Sequence, residues 1–222
     1  MAVILNIETS TKNCSVSIAQ DGKLLHLREF ADEGYAHAEK LHVFIAESLA
    51  VVSLTPKDLT AVAVSKGPGS YTGLRIGVSA AKGLCYPLDI PLISVDTLAV
   101  LATALPIETG VKIPMIDARR MEVYHAIFSP SGEMLQDAKA EVITAESFAI
   151  LDLPIHLLGD GAEKCAAVLP QNKFIFHSQI QYPSAKEMAA LSFEKYKKSD
   201  TENVAYFEPF YLKDFLIQSK GN

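Results

Sequence analysis

Lys66–Gly83 reads KGPGSYTGLRIGVSAAKG, in which Gly67, Gly69, Gly73 and Gly77 follow the apolar run Ala61–Ser65 and lead into a helix predicted over Thr72–Cys85. A run of that kind is typical of a buried strand, so the local order is strand, glycine turn, helix. Backbone N–H groups point outward at such a helix start and make a ready anion site. No Lys-Ser/Thr pair follows the glycines, so the segment is not a P-loop. Gly67-Pro68-Gly69 also reads as a tight turn with no ligand, and spacing leaves both readings open.

Toward the N-terminus, Val3–Ile7, Cys14–Ala19 and Lys23–Phe30 read as an antiparallel meander, joined by the polar segment Glu8–Asn13 and the turn Asp21-Gly22. Ala36–Val52 is predicted as a helix with Leu41, Ile45, Leu49 and Val52 along one face. Thr55-Pro56-Lys57-Asp58 has the residues of a helix start. After the glycine segment come a strand, Pro91–Val95, and a helix capped by Asp96.

The second half repeats that order with shorter elements. Strands Ile113–Asp117 and Glu122–Phe128 flank the turn Ala118-Arg119-Arg120, and Ser131-Gly132 makes a hairpin turn. A helix is predicted near Thr144–Ile150, a strand over Ile155–Leu158, and a helix over Glu163–Leu169 entered through Gly159-Asp160-Gly161. A last helix, Ser184–Tyr196, starts on the cap Ser184, and the tail Phe207–Leu216 is expected to return to the first half. Two halves of the same order imply a duplicated α/β unit. That is the plan of the actin/Hsp70/sugar-kinase (ASKHA) architecture, with nucleotide in the cleft between halves. The expected units are residues 1–104, joined by the tail from about 205 to 222, and a smaller unit over 105–204.

Composition narrows the partners. The net charge is −6, and the densest basic stretch, Lys195–Lys198, is followed at once by Asp200 and Glu202. A chain that binds nucleic acid alone needs a basic face, because phosphate neutralisation dominates such binding; direct nucleic-acid binding is not expected. Cys14, Cys85 and Cys165 are far apart, form no CxxC pair or zinc pattern, and read as buried thiols in a reducing cytosol. The N-terminus meets Glu8 too early for a signal peptide, and Leu88–Ile107 is broken by Asp89, Pro91, Asp96 and Pro106, so no membrane span is expected. These features predict a cytoplasmic protein. Mean hydropathy of +0.19 is slightly high for a soluble chain; either a Val/Ile/Ala-rich α/β core or burial against another protein accounts for it.

GPGSYTGLRIG (67–77), with ILNIETS (4–10) upstream and IDARRMEVY (116–124) downstream, resembles the TsaB (YeaZ) family from end to end. The chain is similar, more distantly, to the TsaD transferases, a group long labelled glycoproteases, although HExxH and GxSxG are absent. The resemblance implies a non-catalytic partner subunit in threonylcarbamoyladenosine (t6A) modification of tRNA adenosine 37. Such a subunit docks onto a TsaD-type transferase, acts with a TsaE-type ATPase, homodimerises when free and meets tRNA only through the complex. ATP and Mg²⁺ then belong to the complex, and this subunit needs no cofactor or metal. The alternative is a stand-alone nucleotide-dependent transferase or small-substrate kinase. Against it stand the short second half and Glu8, where such kinases usually carry Asp.

Several residues then have two readings. Glu8, Thr9, Ser10 and Thr11 occupy the first hairpin, where actin-like ATPases contact phosphate and metal. A polar hairpin satisfied by its own hydroxyls is the reading that a family without catalysis favours. Arg119 and Arg120 can grip a phosphate or a partner carboxylate, or form surface salt bridges of little worth. Gly159 and Gly161 stand where an adenosine-contacting turn belongs, or form a plain helix entry with Asp160 as cap. The TsaD relatives hold their metal with two histidines one helical turn apart. Here no two histidines are four apart, and His37 and His42 read as helix-surface groups.

The docking face is expected on two helices. Gly73, Gly77, Ala80 and Leu84 project along one side of the glycine-segment helix, and Val43, Ala46 and Ala50 along the free side of the earlier one. Each helical glycine costs roughly 1 kcal/mol relative to alanine, and close approach of another helix would offset it. Packing of the small residues within the subunit is the competing explanation.

Overall fold

The computed structural model describes residues 1–31, 37–151, 153–170 and 172–213. Five strands form the first sheet: β1 (Val3–Glu8), β2 (Asn13–Gln20), β3 (Lys23–Ala31), β4 (Ala61–Gly67) and β5 (Leu92–Asp96). Their spatial order is β3-β2-β1-β4-β5. The meander pairs are antiparallel, while β1–β4 and β4–β5 are parallel. The second sheet comprises β6 (Val111–Asp117), β7 (Glu122–Phe128), β8 (Met134–Val142), β9 (Ile155–Leu158) and β10 (Phe174–His177). Its order, β10-β9-β6-β7-β8, repeats the first strand for strand, pairings included. This is the duplicated ASKHA fold.

Helices α1 (His37–Val51) and α2 (Tyr71–Leu88) cover one face of the first sheet. Leu41, Ile45 and Leu49 meet Leu5, Ile7 and Val64 in that core, with Val52 at its margin. The expected helix start at Thr55 is a single 3-10 turn, Pro56–Asp58, in which the Asp58 carboxylate accepts from the Thr55 N–H at 2.7 Å. Helix α3 (Thr97–Thr103) is capped by Asp96, whose carboxylate accepts from the Ala99 N–H at 3.0 Å. It is wedged between the sheets: Val100 packs with Ile4 and Ile93, while Leu98 and Leu101 pack with Ile116, Phe128 and Leu158.

Helix α5 (Ala185–Lys197), capped by Ser184, departs from the expected 105–204 unit. Its Ala185 and Met188 lie on the first sheet with Ile4, Ala61 and Ala63. The seven-residue α3 is too short to cover that face by itself. Polar pegs fix α5 there: Ser192 Oγ donates to Asn6 Oδ1, and Ser17 Oγ to Ala185 O, both at 2.7 Å.

Two expected helices differ. The helix expected near Thr144–Ile150 is a run of turns over 145–150, because side chains there compete for the backbone: Ser147 Oγ accepts from the Thr144 N–H at 3.0 Å, and Phe148 sits at φ 62°. The Phe148 ring is held edge-on to His125 and Phe174. The helix expected over Glu163–Leu169 is α4 (Asp160–Cys165), which begins directly after Gly159 and unwinds into turns after Cys165. Strand β10 had no counterpart in the sequence reading. All three cysteines are buried, and among the described residues no helix is long and apolar enough to cross a membrane.

Candidate functional site

A cleft of about 610 Å³ opens between the halves, where five segments converge. It is lined by Ser10, Thr11 and Lys12 from the β1–β2 turn, Gly69 and Ser70 before α2, and Tyr71 and Thr72 on its first turn. Asp117, Arg119 and Tyr124 come from the β6–β7 hairpin, Asp160 from α4, and Phe210–Lys213 from the tail.

The glycine motif serves the chain's own backbone here. A Cβ on Gly69 would stand 2.4 Å from Ser10 O, and one on Gly73 2.1 Å from Thr9 O. Only glycine therefore lets the first hairpin lie against the start of α2. That hairpin takes up one donor before the helix, the Ser70 N–H donating to Ser10 O at 2.7 Å, while the cap Ser70 Oγ accepts from the Gly73 N–H at 3.2 Å. Thr9 Oγ1 closes the contact by donating to Gly73 O at 2.8 Å. Close approach thus accounts for Gly69 and Gly73, and the tail, through Phe210 O, covers Gly67.

Glu8 lies behind the cleft with no exposed surface. Its Oε1 accepts from the Ser10 N–H at 2.7 Å and from Ser65 Oγ at 3.0 Å. Oε2 has no hydrogen-bond partner among the described residues. Burial pushes the carboxyl up to about 6, and the bonds from Ser10 and Ser65 oppose that only in part.

The β6–β7 turn is strained. Arg119 (φ 71°) and Arg120 (φ 53°) are both left-handed, held by the Arg119 N–H donating to Asp117 Oδ1 at 2.7 Å and the Ala118 N–H to Glu122 O at 3.1 Å. Lys164 braces the same turn, donating to Asp117 Oδ1 and to Glu122 O. Neither arginine forms an ion pair among the described residues. Arg119 lines the cleft, where its charge opposes the rise that burial gives the Tyr124 hydroxyl. Asp160 is not the cap of α4; Gly159 holds that position, and Asp160 Oδ1 accepts from the Asp117 N–H at 2.9 Å. Burial first, then the Asp117 charge, raises Asp160 to about 6.

Of the residues singled out in the sequence, Ser10, Thr11, Gly69 and Arg119 reach the cleft, while Glu8 and Thr9 are buried behind it. Gly159 and Gly161 face the end of β6: a Cβ on Gly159 would meet Met115 O at 2.1 Å, and one on Gly161 would meet Ile116 C at 3.0 Å. Lys12, Ser70 and Tyr71 were not singled out, although they adjoin residues that were. The tail residues carried one signal, the aromatic-basic string Phe210-Tyr211-Leu212-Lys213; the expected Asp214–Leu216 continuation lies outside the described residues.

The two long helices form a second feature. Val43, Ala46 and Ala50 are exposed on α1, and a groove of about 660 Å³ runs between α1 and α2, lined by Ala38, His42, Arg75, Ser79, Gly83 and Leu84. Gly73 and Gly77 are buried against the first hairpin, which corrects their placement on the docking face, while Ala80, although mostly buried, lines the groove with Leu84. A Cβ on Gly77 would stand 2.3 Å from Thr9 Oγ1, so the first hairpin, not a second protein, offsets both helical glycines. His37 is likewise buried, with Nε2 2.7 Å from Thr11 O, while His42 is exposed.

Comparison with known proteins agrees with this geometry. The family model described as TsaD: tRNA N6-adenosine threonylcarbamoyltransferase matches residues 33–219. The Haemophilus influenzae tRNA threonylcarbamoyladenosine biosynthesis protein TsaB is 30% identical over 98% of this chain and 96% of its own. Among solved structures, YeaZ from Pseudomonas aeruginosa superposes with a TM-score of 0.81 at 25% identity, covering 96% of this chain and 100% of that one. A P. aeruginosa protein described by its similarity to peptidase YEAZ gives 0.82 at the same identity and coverage. With a family model spanning most of its length and a relative matched almost end to end, the chain belongs to the TsaB family, a branch of the wider TsaD group.

Proposed function

We propose that this chain is a non-catalytic subunit in t6A modification of tRNA adenosine 37, docking through α1 and the exposed side of α2 onto a TsaD-type transferase. A TsaE-type ATPase joins the same assembly, and the free protein self-associates through the same face. One observation carries the docking surface: two long helices lie side by side with Val43, Ala46, Ala50, Ser79 and Gly83 exposed about a groove. Small residues on an exposed face let partner helices approach closely. The relatives named TsaB supply the pathway. ATP and Mg²⁺ act in the assembly and are not required by this subunit, and tRNA is met only there, in keeping with the net charge of −6.

Titration of the purified protein against the TsaD-type transferase of its host tests the reading. Ala46→Glu and Ser79→Glu should each weaken binding about 100-fold, close to 3 kcal/mol, with unchanged circular dichroism and Tm. A folded variant that binds like the parent removes this surface from the interface, and a parent that binds no transferase removes the whole reading.

The interlobe cleft favours the second reading, a stand-alone nucleotide-dependent enzyme. Calorimetric titration with Mg-ATP, with hydrolysis and peptidase assays on the isolated chain, separates the two. Turnover that Glu8→Ala abolishes would establish the enzyme.

A further inference from the structure

The tail segment Phe210–Lys213 is tied to both halves across the cleft. On the first half, the Phe210 N–H donates to Lys66 O at 2.7 Å. Phe210 O lies 2.6 Å from where a Cβ on Gly67 would stand, so only glycine admits the tail there. The Tyr211 ring sits 5.0 Å from that of Tyr71 at an interplanar angle of 39°. On the second half, Lys213 Nζ bonds the Glu122 carboxylate and lies 5.8 Å from the centre of the Tyr124 ring. Upstream, Lys82 Nζ fixes the approach by donating to Ala205 O at 3.0 Å and Phe207 O at 3.1 Å.

We infer that Phe210–Lys213 is a strap that closes one side of the cleft from within the chain, a removable wall of the space that Thr11, Lys12 and Arg119 also line. The anchor upstream is firm, because Val204 and Phe207 pack against the first core. Among the described residues, the ties found across the crossing are a backbone hydrogen bond, a ring pair, a cation–π contact and a partly exposed ion pair, with side-chain exposures of 36% for Lys213 and 25% for Glu122. Ties of that kind belong to the low-stability end of a structure, where local opening is frequent. The strap therefore lifts as a short flap hinged near Phe207, while both halves stay folded. Any anion reaching Lys12 and Arg119 from the tail side meets it first. This inference does not rest on the docking reading.

Thiol labelling reads the cover directly, since Cys14, Cys85 and Cys165 are all buried. In a full-length Thr11→Cys background, maleimide should react slowly with the parent and about tenfold faster after Tyr211→Ala with Lys213→Ala. Tyr211→Phe, which keeps the ring, should leave the rate near that of the parent. Glu122→Gln removes the far anchor without touching the tail and should also speed labelling. Labelling of the native cysteines marks any variant that has unfolded; if the double variant does so, Glu122→Gln decides alone. Parent-like labelling in every folded variant overturns the strap. Partner binding is not read in this experiment, so its failure leaves the docking surface standing.

Discussion

The two halves share a sheet plan and differ in their helices. In the first, α1 has 15 residues and α2 has 18; in the second, the corresponding places hold the turns over 145–150 and the six-residue α4. The long helices bury one side in the first core and present the other outward. Among the described residues the second half has no comparable helical face, and its strained β6–β7 turn contributes Arg119 to the cleft. Duplication preserved the strand order and the glycine turns. It did not preserve the helical surface available to other proteins.

The glycine turns match more closely than their sequences suggest. In each half, glycines at the helix entry admit backbone at or just past the end of that half's first strand: Gly69 and Gly73 face Ser10 O and Thr9 O of the β1–β2 turn, while Gly159 and Gly161 face the Met115 and Ile116 backbone of β6. In each, burial lifts a nearby carboxyl, Glu8 or Asp160, to about 6.

The strongest way to break this correspondence is to fill the close approach. Gly73→Ala should destabilise the protein by about 2–3 kcal/mol, although alanine is normally the better helix former. The added Cβ would stand 2.1 Å from a backbone oxygen that cannot rotate away. Gly161→Ala, whose nearest neighbour is the Val123 Cγ1 methyl at 2.9 Å, should cost less. Urea midpoints check both, and a neutral Gly73→Ala would show that the hairpin is not seated on α2.

The buried carboxyls sharpen the comparison through pH. A folded-state value raised above the unfolded one means that the native protein binds the proton more tightly. Stability is then full below about pH 4.5, falls as pH rises and is lost above about 6. For Glu8, raised from 4.5 to about 6, the loss amounts to roughly 2 kcal/mol. Glu8→Gln should flatten unfolding free energy between pH 4.5 and 6, and Asp160→Asn should remove the slope that Asp160, raised from 3.8 to about 6, gives across that wider window. A slope unchanged by Glu8→Gln would mean that this carboxyl titrates normally.

The smallest effect is the counterpart of the first. Gly83 lies on the exposed side of α2, and nothing lies within 4 Å of a Cβ there. Gly83→Ala should raise stability by up to about 1 kcal/mol, measurable as a higher Tm. Opposite signs at positions 73 and 83 of one helix would separate glycine kept for packing from glycine free to change.

Periodicity and cap chemistry were enough to read the strands along the chain other than β10, the α1 face of Leu41, Ile45 and Leu49, and the caps Asp96 and Ser184. Those features are local: the spacing of apolar side chains and a hydroxyl or carboxylate beside free N–H groups act within a few residues. The Ser10, Thr11 and Arg119 contributions to the cleft were legible for the same reason, each lying in a turn between two recognisable strands or beside one. What covers each face was decided only in three dimensions. Gly73 and Gly77 look the same in sequence whether they meet a partner helix or Thr9, because a glycine records that something comes close and not what. Thr144–Ile150 has a helical pattern that Ser147 and the Phe148 packing override, and α5 crosses to the first sheet because that apolar face lacks a cover. The tail returns to the first half as expected, with Val204 and Phe207 on the first core, but its crossing to Glu122 of the second half is a long-range contact that no window of sequence contains.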